Sequence, residues 1–215
     1  MTNPLMQYLD PIQPAPQTLS GATKYQDPRI AASFDAKRET DPKRVIAKNV
    51  IKTMLSDLPP KTRILDAGCG TGLMFEFFVE KQFTVCGIDL SEAMLLEAGK
   101  KLDAYKAQGL LHADFTLGVG SVYQLPLEDK CVEAAIMVDL TRWIIEERGP
   151  QGIVDALKEL QRVAKQRIIL TARVANHKWA VTEDLIKSGL DGWVIVASQA
   201  GSDLDYRIIC AEPVA

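Results

Sequence analysis

The stretch Ile64-Leu65-Asp66-Ala67-Gly68-Cys69-Gly70-Thr71-Gly72-Leu73 decides how this chain is read. A short apolar run ends at a carboxylate, glycine then takes every second position, and apolar residues resume beyond it. Glycine has no Cβ and tolerates positive φ, so a turn of this kind lets a ligand approach the backbone, and the free N–H groups at a following helix start face that ligand. Two other glycine motifs fail on spacing. A G-x-G-x-x-G fingerprint begun at Gly68 would need its third glycine where Leu73 stands, and a P-loop would need Lys and then Ser or Thr where Leu73-Met74 stands. A nucleoside-binding turn with Asp66 at its head remains.

The next strand supports that reading. Val85-Cys86-Gly87-Ile88-Asp89 is a second short buried run ending in a carboxylate, 23 residues after Asp66. An acidic residue at about this distance suits the paired hydroxyls of a ribose. Ser91 follows as an N-cap, and Glu92-Ala93-Met94-Leu95-Leu96 opens a helix. Further on, Gly120-Ser121-Val122-Tyr123-Gln124-Leu125-Pro126 precedes the apolar run Val132 to Val138.

The first block resembles motif I of the class I S-adenosylmethionine (SAM)-dependent methyltransferases, and Gly87 to Leu95 is similar to motif II. The third block looks like the stretch that lines the family's adenine pocket, with Ser121 where an Asp is usual; a hydroxyl binds the adenine amine more weakly than a carboxylate. The resemblance covers roughly residues 42 to 213, and residues 1–40 match no known pattern. It implies SAM as cofactor and S-adenosylhomocysteine (SAH) as product. The cofactor-binding residues it implies are Asp66, Gly68, Cys69, Gly70, Gly72, Asp89, Leu90, Met94, Ser121, Val122, Tyr123 and Val138, with Cys69 a small residue that fits the turn rather than a nucleophile.

Composition sets the outer limits. The 215 residues supply one domain with a full core, and a net charge of −3 leaves no polybasic footprint for nucleic acid. No apolar run reaches the length of a membrane span, and the Pro- and Gln-containing N-terminus has no secretory pattern. Cys69, Cys86, Cys131 and Cys210 are scattered without metal-ligand spacing, as expected of reduced thiols in a cytoplasmic protein. No metal, nucleic-acid or membrane partner is expected, and the oligomeric state stays open.

Strand and helix signals alternate. Asp41-Pro42 starts a helix with Ile46, Val50, Met54 and Leu58 at i+4 steps, which stops at Pro59-Pro60. Strands end at Ala67 and Asp89, with further strands over 112–119, 132–139 and 167–172. Helices are expected over 91–107, from Gly149-Pro150 onward and over 178–188. Trp193-Val194-Ile195-Val196 and Tyr206 to Cys210 read as a hairpin about Gly201-Ser202-Asp203. The alternation predicts a doubly wound, mostly parallel α/β sheet. The resemblance makes it seven-stranded and Rossmann-like, closed by an antiparallel C-terminal hairpin strand. Residues 1–40 read as an arm or lid, and 41–215 as the SAM-binding domain.

In such a sheet the ligand lies beyond the C-terminal strand ends. Asp139 and His177, after strands four and five, are the candidate catalytic bases; Tyr25, Arg142 and Trp143 are the candidate substrate contacts, with the loops 140–150 and 174–179 shaping access. His112, at the opposite end of strand three, belongs to the far face. Methyl transfer is an in-line displacement on an activated sulfonium, so positioning dominates, and a base serves only an acceptor that must lose a proton. The expected activity is methylation of an O or N atom of a small molecule. The alternatives are a SAM- or nucleoside-binding regulatory protein without catalysis, and a methyltransferase acting on protein or RNA.

Overall fold

The computed structural model describes residues 24–36, 41–174, 178–200 and 206–214. Its elements, in chain order, are α1 (Pro28–Ala32), α2 (Pro42–Met54), β1 (Arg63–Ala67), α3 (Phe75–Glu80), β2 (Thr84–Asp89), α4 (Glu92–Ala107), β3 (Phe115–Val119), β4 (Val132–Met137), α5 (Thr141–Val163), β5 (Ala164–Arg173), α6 (Glu183–Gly189), β6 (Trp193–Ala200) and β7 (Tyr206–Pro213). One seven-stranded sheet runs in the order β3-β2-β1-β4-β5-β7-β6. Pairings from β3 across to β5 are parallel, and β7 is antiparallel to both β5 and β6. The parallel part is the sheet that the strand–helix alternation predicts, and the whole is the Rossmann-like methyltransferase arrangement with a C-terminal hairpin that the resemblance implies.

Parallel strands are covered on both faces, which explains why their sequences are nearly continuous apolar runs. Ile64, Leu65 and Ala67 of β1 and Ala134, Ala135, Ile136 and Met137 of β4 are all fully buried. One face packs α2 and α3 through Ile51, Leu55, Phe75 and Phe78. The other packs α5 through Ile153, Leu157 and Leu160. The chain order reverses between β1 and β4, so a crevice opens beyond their C-terminal ends.

Three local expectations need correction. The buried stripe of α2 is Ala47, Ile51 and Leu55, with Leu58 beyond it, while Ile46 is 38% exposed. The rows 46/50/54 and 47/51/55 both read as amphipathic, and docking on the sheet selects between them. Residues 140–150 are not an access loop. A helix starts at Thr141, directly after β4, and carries an Arg142–Glu146 ion pair at i,i+4. It kinks where Gly149 takes φ 64° and Pro150 restarts the turn. Third, β3 begins only at Phe115, which leaves His112 exposed in the preceding loop on the side away from the crevice.

Candidate functional site

The glycine turn stands at the C-terminal end of β1 with Gly68, Gly70 and Gly72 at φ 78°, 55° and 76°. Only residues without a Cβ adopt this left-handed sequence cheaply. The three glycines nonetheless do different work. A Cβ on Gly72 would lie 2.4 Å from the Phe75 ring, and one on Gly68 would lie 2.9 Å from Leu140, so both sites are filled by the protein itself. Among the described residues, none other than its chain neighbours has an atom within 4 Å of a Cβ placed on Gly70. Its open side faces the crevice.

Asp89, at the end of β2, is held toward that opening by the backbone. The Gly70 N–H donates to its Oδ2 at 2.8 Å and the Ser91 N–H to its Oδ1 at 2.8 Å. One lone pair on each oxygen is used, and the second remains for a ligand's hydroxyls. Asp66, 3% exposed, stands behind it on β1. Burial first, and then the charge of Asp89, push the Asp66 carboxyl up to about 7. Burial also raises Asp89, against the pull of its backbone N–H donors. Two carboxylates in a dry crevice form a receptor for positive charge and hydroxyls.

The cleft formed here has an empty volume of about 1080 Å³ with its open mouth included. Of the residues expected from sequence, Asp66, Gly68, Cys69, Gly70, Asp89, Leu90, Met94, Val122, Tyr123, Val138, Asp139, Tyr25 and Trp143 line it. Gly72 does not. Nor does Ser121, whose hydroxyl accepts from the Tyr123 N–H within its own turn. Arg142 stands outside the lining, 3.9 Å from the Trp179 ring centroid and 4.7 Å from that of Trp143. His177, and the loop 174–179 through its residues 175–177, lie outside the described residues. The Cys69 thiol is pushed far up by burial, as suits a wall residue rather than a nucleophile.

Asp139 sits at φ 56°, a left-handed conformation that Asp tolerates better than most residues. Its Oδ1 accepts from the Tyr206 hydroxyl at 2.6 Å, its Oδ2 pairs with Arg44 at 3.0 Å, and its N–H donates to Thr171 Oγ1. Burial first, then the charge of Asp139, raises the Tyr206 phenol. Arg44, on α2, thereby enters the cleft, a role that its surface-like place in the sequence conceals.

The described residues of the N-terminal segment pack beside the site. The Ser91 hydroxyl caps α4 at Met94 and also donates to the Tyr25 carbonyl at 2.6 Å. Gln26 Nε2 donates to the Leu90 carbonyl. Thr71 Oγ1 donates to Asp35 Oδ1 at 2.5 Å, and Asp35 Oδ2 pairs with Lys101 at 2.8 Å. Ala31 buries against Ala93 and Met94, and Tyr25 meets Phe34 and Trp143 edge-on at 5.6 and 5.5 Å. Residues 24–36 thus bridge the glycine turn and the start of α4. Among the described residues no group of three or more metal-ligating side chains occurs, and no helix is long and apolar enough to cross a membrane.

Sequence reasoning missed Phe34, Arg44, Leu140, Ile144 and Glu147 in the lining. The last three had a readable signal. Leu140, Trp143, Ile144 and Glu147 follow i, i+3, i+4, i+7 spacing, the mark of one helix face.

A glycine turn under a topological switch point, with one carboxylate at its head and another closing the neighbouring strand, defines the class I SAM-dependent methyltransferase domain. Residues 64–167 match the family model described as a methyltransferase domain. Among the chain's relatives, YqeM, a candidate methyltransferase of Bacillus subtilis (strain 168), is 49% identical over 53 residues, which is 25% of this chain and 22% of that protein. The dTDP-3-amino-3,4,6-trideoxy-alpha-D-glucopyranose N,N-dimethyltransferase of Streptomyces venezuelae is 38% identical over 73 residues, 34% of this chain and 30% of that protein. Both matches thus span less than a third of the relative's length. The structure of magnesium protoporphyrin IX methyltransferase from Synechocystis PCC 6803 with bound SAH superposes with a TM-score of 0.65 at 21% identity, covering 89% of this chain and 99% of that one. At that identity the likeness establishes the fold.

Proposed function

We propose that this protein transfers the methyl group of SAM to a small-molecule acceptor. The observation that carries the reading is the cleft at Gly70, where an open left-handed glycine, the tethered carboxylate of Asp89 and the buried carboxylate of Asp66 converge. Asp89 takes the ribose hydroxyls. Gly70 lets the cofactor backbone pass. Asp66 faces the ammonium of the methionine moiety, and Arg44 stands ready for its carboxylate. Leu90, Met94 and Val122 form the apolar slot for adenine. The solved relative above holds SAH in the same fold, and the two sequence relatives are named for methyl transfer, which supports the cofactor and the reaction.

SAM supplies an activated methyl group; the chain's own contribution is to hold the acceptor in line and keep water out. We assign Asp139 to orientation at the acceptor end: Arg44 and Tyr206 fix its carboxylate, and proton acceptance there requires Arg44 to swing to the cofactor. His177 remains a second candidate base. Tyr25 and Trp143 wall the acceptor side, and Arg142 supports Trp143 from outside. Residues 24–36 act as the cover over the bound nucleoside. The soluble-enzyme composition fits work in the cytoplasm.

The test has two stages. Calorimetry measures SAM and SAH binding. Incubation with isotope-labelled SAM and a metabolite extract, followed by mass detection, then identifies the methylated product. Absence of binding refutes the cofactor reading, and binding without transfer to any acceptor in the extract favours a regulatory protein.

A further inference from the structure

One carboxylate of the cleft is not absorbed by the cofactor reading. Asp66 and Asp89 serve the cofactor, and Asp139, which pairs with Arg44 and Tyr206, is assigned above to orienting the acceptor. Glu147 lies instead on the wall that α5 turns to the cleft, at the end of the face begun by Leu140, Trp143 and Ile144. This wall is otherwise apolar and aromatic, faced by Tyr25 and Phe34 from the arm. The Tyr123 hydroxyl, also in the lining, donates to Glu147 Oε2 at 2.9 Å, and Arg148 approaches Oε1 only to 3.8 Å while lying over the Tyr123 ring. The Glu147 side chain is 16% exposed. A carboxylate held by a phenol in an aromatic wall keeps lone pairs for a further donor.

The charges set the sign of that donor. Among the described residues the lining carries four carboxylates, Asp66, Asp89, Asp139 and Glu147, and one guanidinium, Arg44. SAM adds an ammonium, a sulfonium and a carboxylate, one net positive charge. With Arg148 counted at the rim, these described groups and SAM together still sum to a net negative charge. The carboxylates therefore favour a cation over an anion as the further ligand.

We infer that the methyl acceptor is an amine on an aromatic or apolar body, whose nitrogen docks against Glu147 and the Tyr123 hydroxyl. The inference rests on the methyltransferase reading and names its substrate class. The amine arrives as ammonium and passes one proton to the Glu147 carboxylate. The freed nitrogen lone pair forms the C–N bond to the methyl carbon, the C–S bond breaks, and its electron pair stays on sulfur. SAH and a methylated ammonium result.

Benzylamine, benzyl alcohol and benzoate are probes of one shape and three charges. Their binding is measured by ligand-observed NMR titration with SAH saturating. The amine is expected to bind about tenfold tighter than the alcohol, and the acid weakest. Glu147→Gln is expected to bring the amine to the level of the alcohol, with circular dichroism and SAH affinity unchanged. Glu147→Asp keeps the order, and Arg148→Ala widens the preference; these two decide if the Gln variant does not fold. Alcohol or acid binding as tightly as the amine, no binding by any probe, or an amine preference that survives Glu147→Gln overturns the inference. A protein that fails to bind SAH at all overturns the cofactor reading instead.

Discussion

Replacing Asp66 with Asn separates what the cleft costs the fold from what it gives the ligand. Burial and the neighbouring Asp89 charge push the Asp66 carboxyl from 3.8 to about 7. Each pKa unit corresponds to roughly 1.4 kcal/mol, so holding this group ionised in the empty cleft costs on the order of 4 kcal/mol. Because the folded value is raised, the stabilising contribution is the protonated form. It is complete below about pH 4 and is lost as pH rises through about 7. Asp66→Asn is therefore close to neutral at pH 5 and stabilising at pH 8. Allowing half of the ionisation cost for imperfect pairing of the amide leaves about 2 kcal/mol, or roughly 4–8 °C in Tm. Ligand binding runs the other way. A ligand ammonium needs the carboxylate, which is about 3% ionised at pH 5.5 and about three-quarters ionised at pH 7.5, so SAH affinity should rise roughly twentyfold over that range with proton release. Calorimetry in buffers of different ionisation enthalpy counts the proton, and differential scanning calorimetry reads Tm. A flat affinity without proton exchange in the wild type, or an Asn variant less stable than wild type at pH 8, refutes the assignment.

Asp89→Ala removes the ribose acceptor together with the tether of the Gly70 and Ser91 N–H groups. It should weaken SAM binding by about 3 kcal/mol in a protein that still folds, and unchanged affinity by calorimetry would dismiss the ribose role. Gly70→Ala meets no neighbour but keeps φ 55°, so stability should fall by only about 1 kcal/mol while SAM affinity falls much further. Gly72→Ala drives a Cβ into the Phe75 ring and should destabilise by about 3 kcal/mol or prevent folding; equal Tm values for the two variants would contradict this division of labour. Asp35→Ala breaks the link from the arm to Thr71 and Lys101 and should speed SAH dissociation several-fold in stopped flow. Hydrogen exchange over residues 24–36 should slow when SAH binds, and equal protection with and without it would rule out a cover.

Much of this protein is written locally. The glycine turn, the carboxylates that end β1 and β2, and the Ser91 cap are legible because backbone conformation and hydrogen bonding act over a few residues. The alternation of buried strands and helices likewise determines a parallel sheet, and with it the end at which a ligand sits. Other features need distance. Residues 46/50/54 and 47/51/55 differ only in which row meets the sheet, and docking decides. Arg44 reads as a surface helix residue until α2 packs against β5 and β7 and delivers it to Asp139. Tyr206 reaches the same carboxylate from 67 positions away. Asp35 bridges Thr71 and Lys101 from an arm whose own sequence shows little periodicity. Glu147 stood on a readable helical face, but the expected loop over 140–150 hid that face, and Gly149-Pro150 proved to kink a helix rather than begin one. Sequence thus determined the proposed cofactor end, where chemistry depends on contiguous backbone. Tertiary structure alone decided the proposed acceptor end, because its walls come from elements that meet only when the sheet closes and residues 24–36 pack beside it.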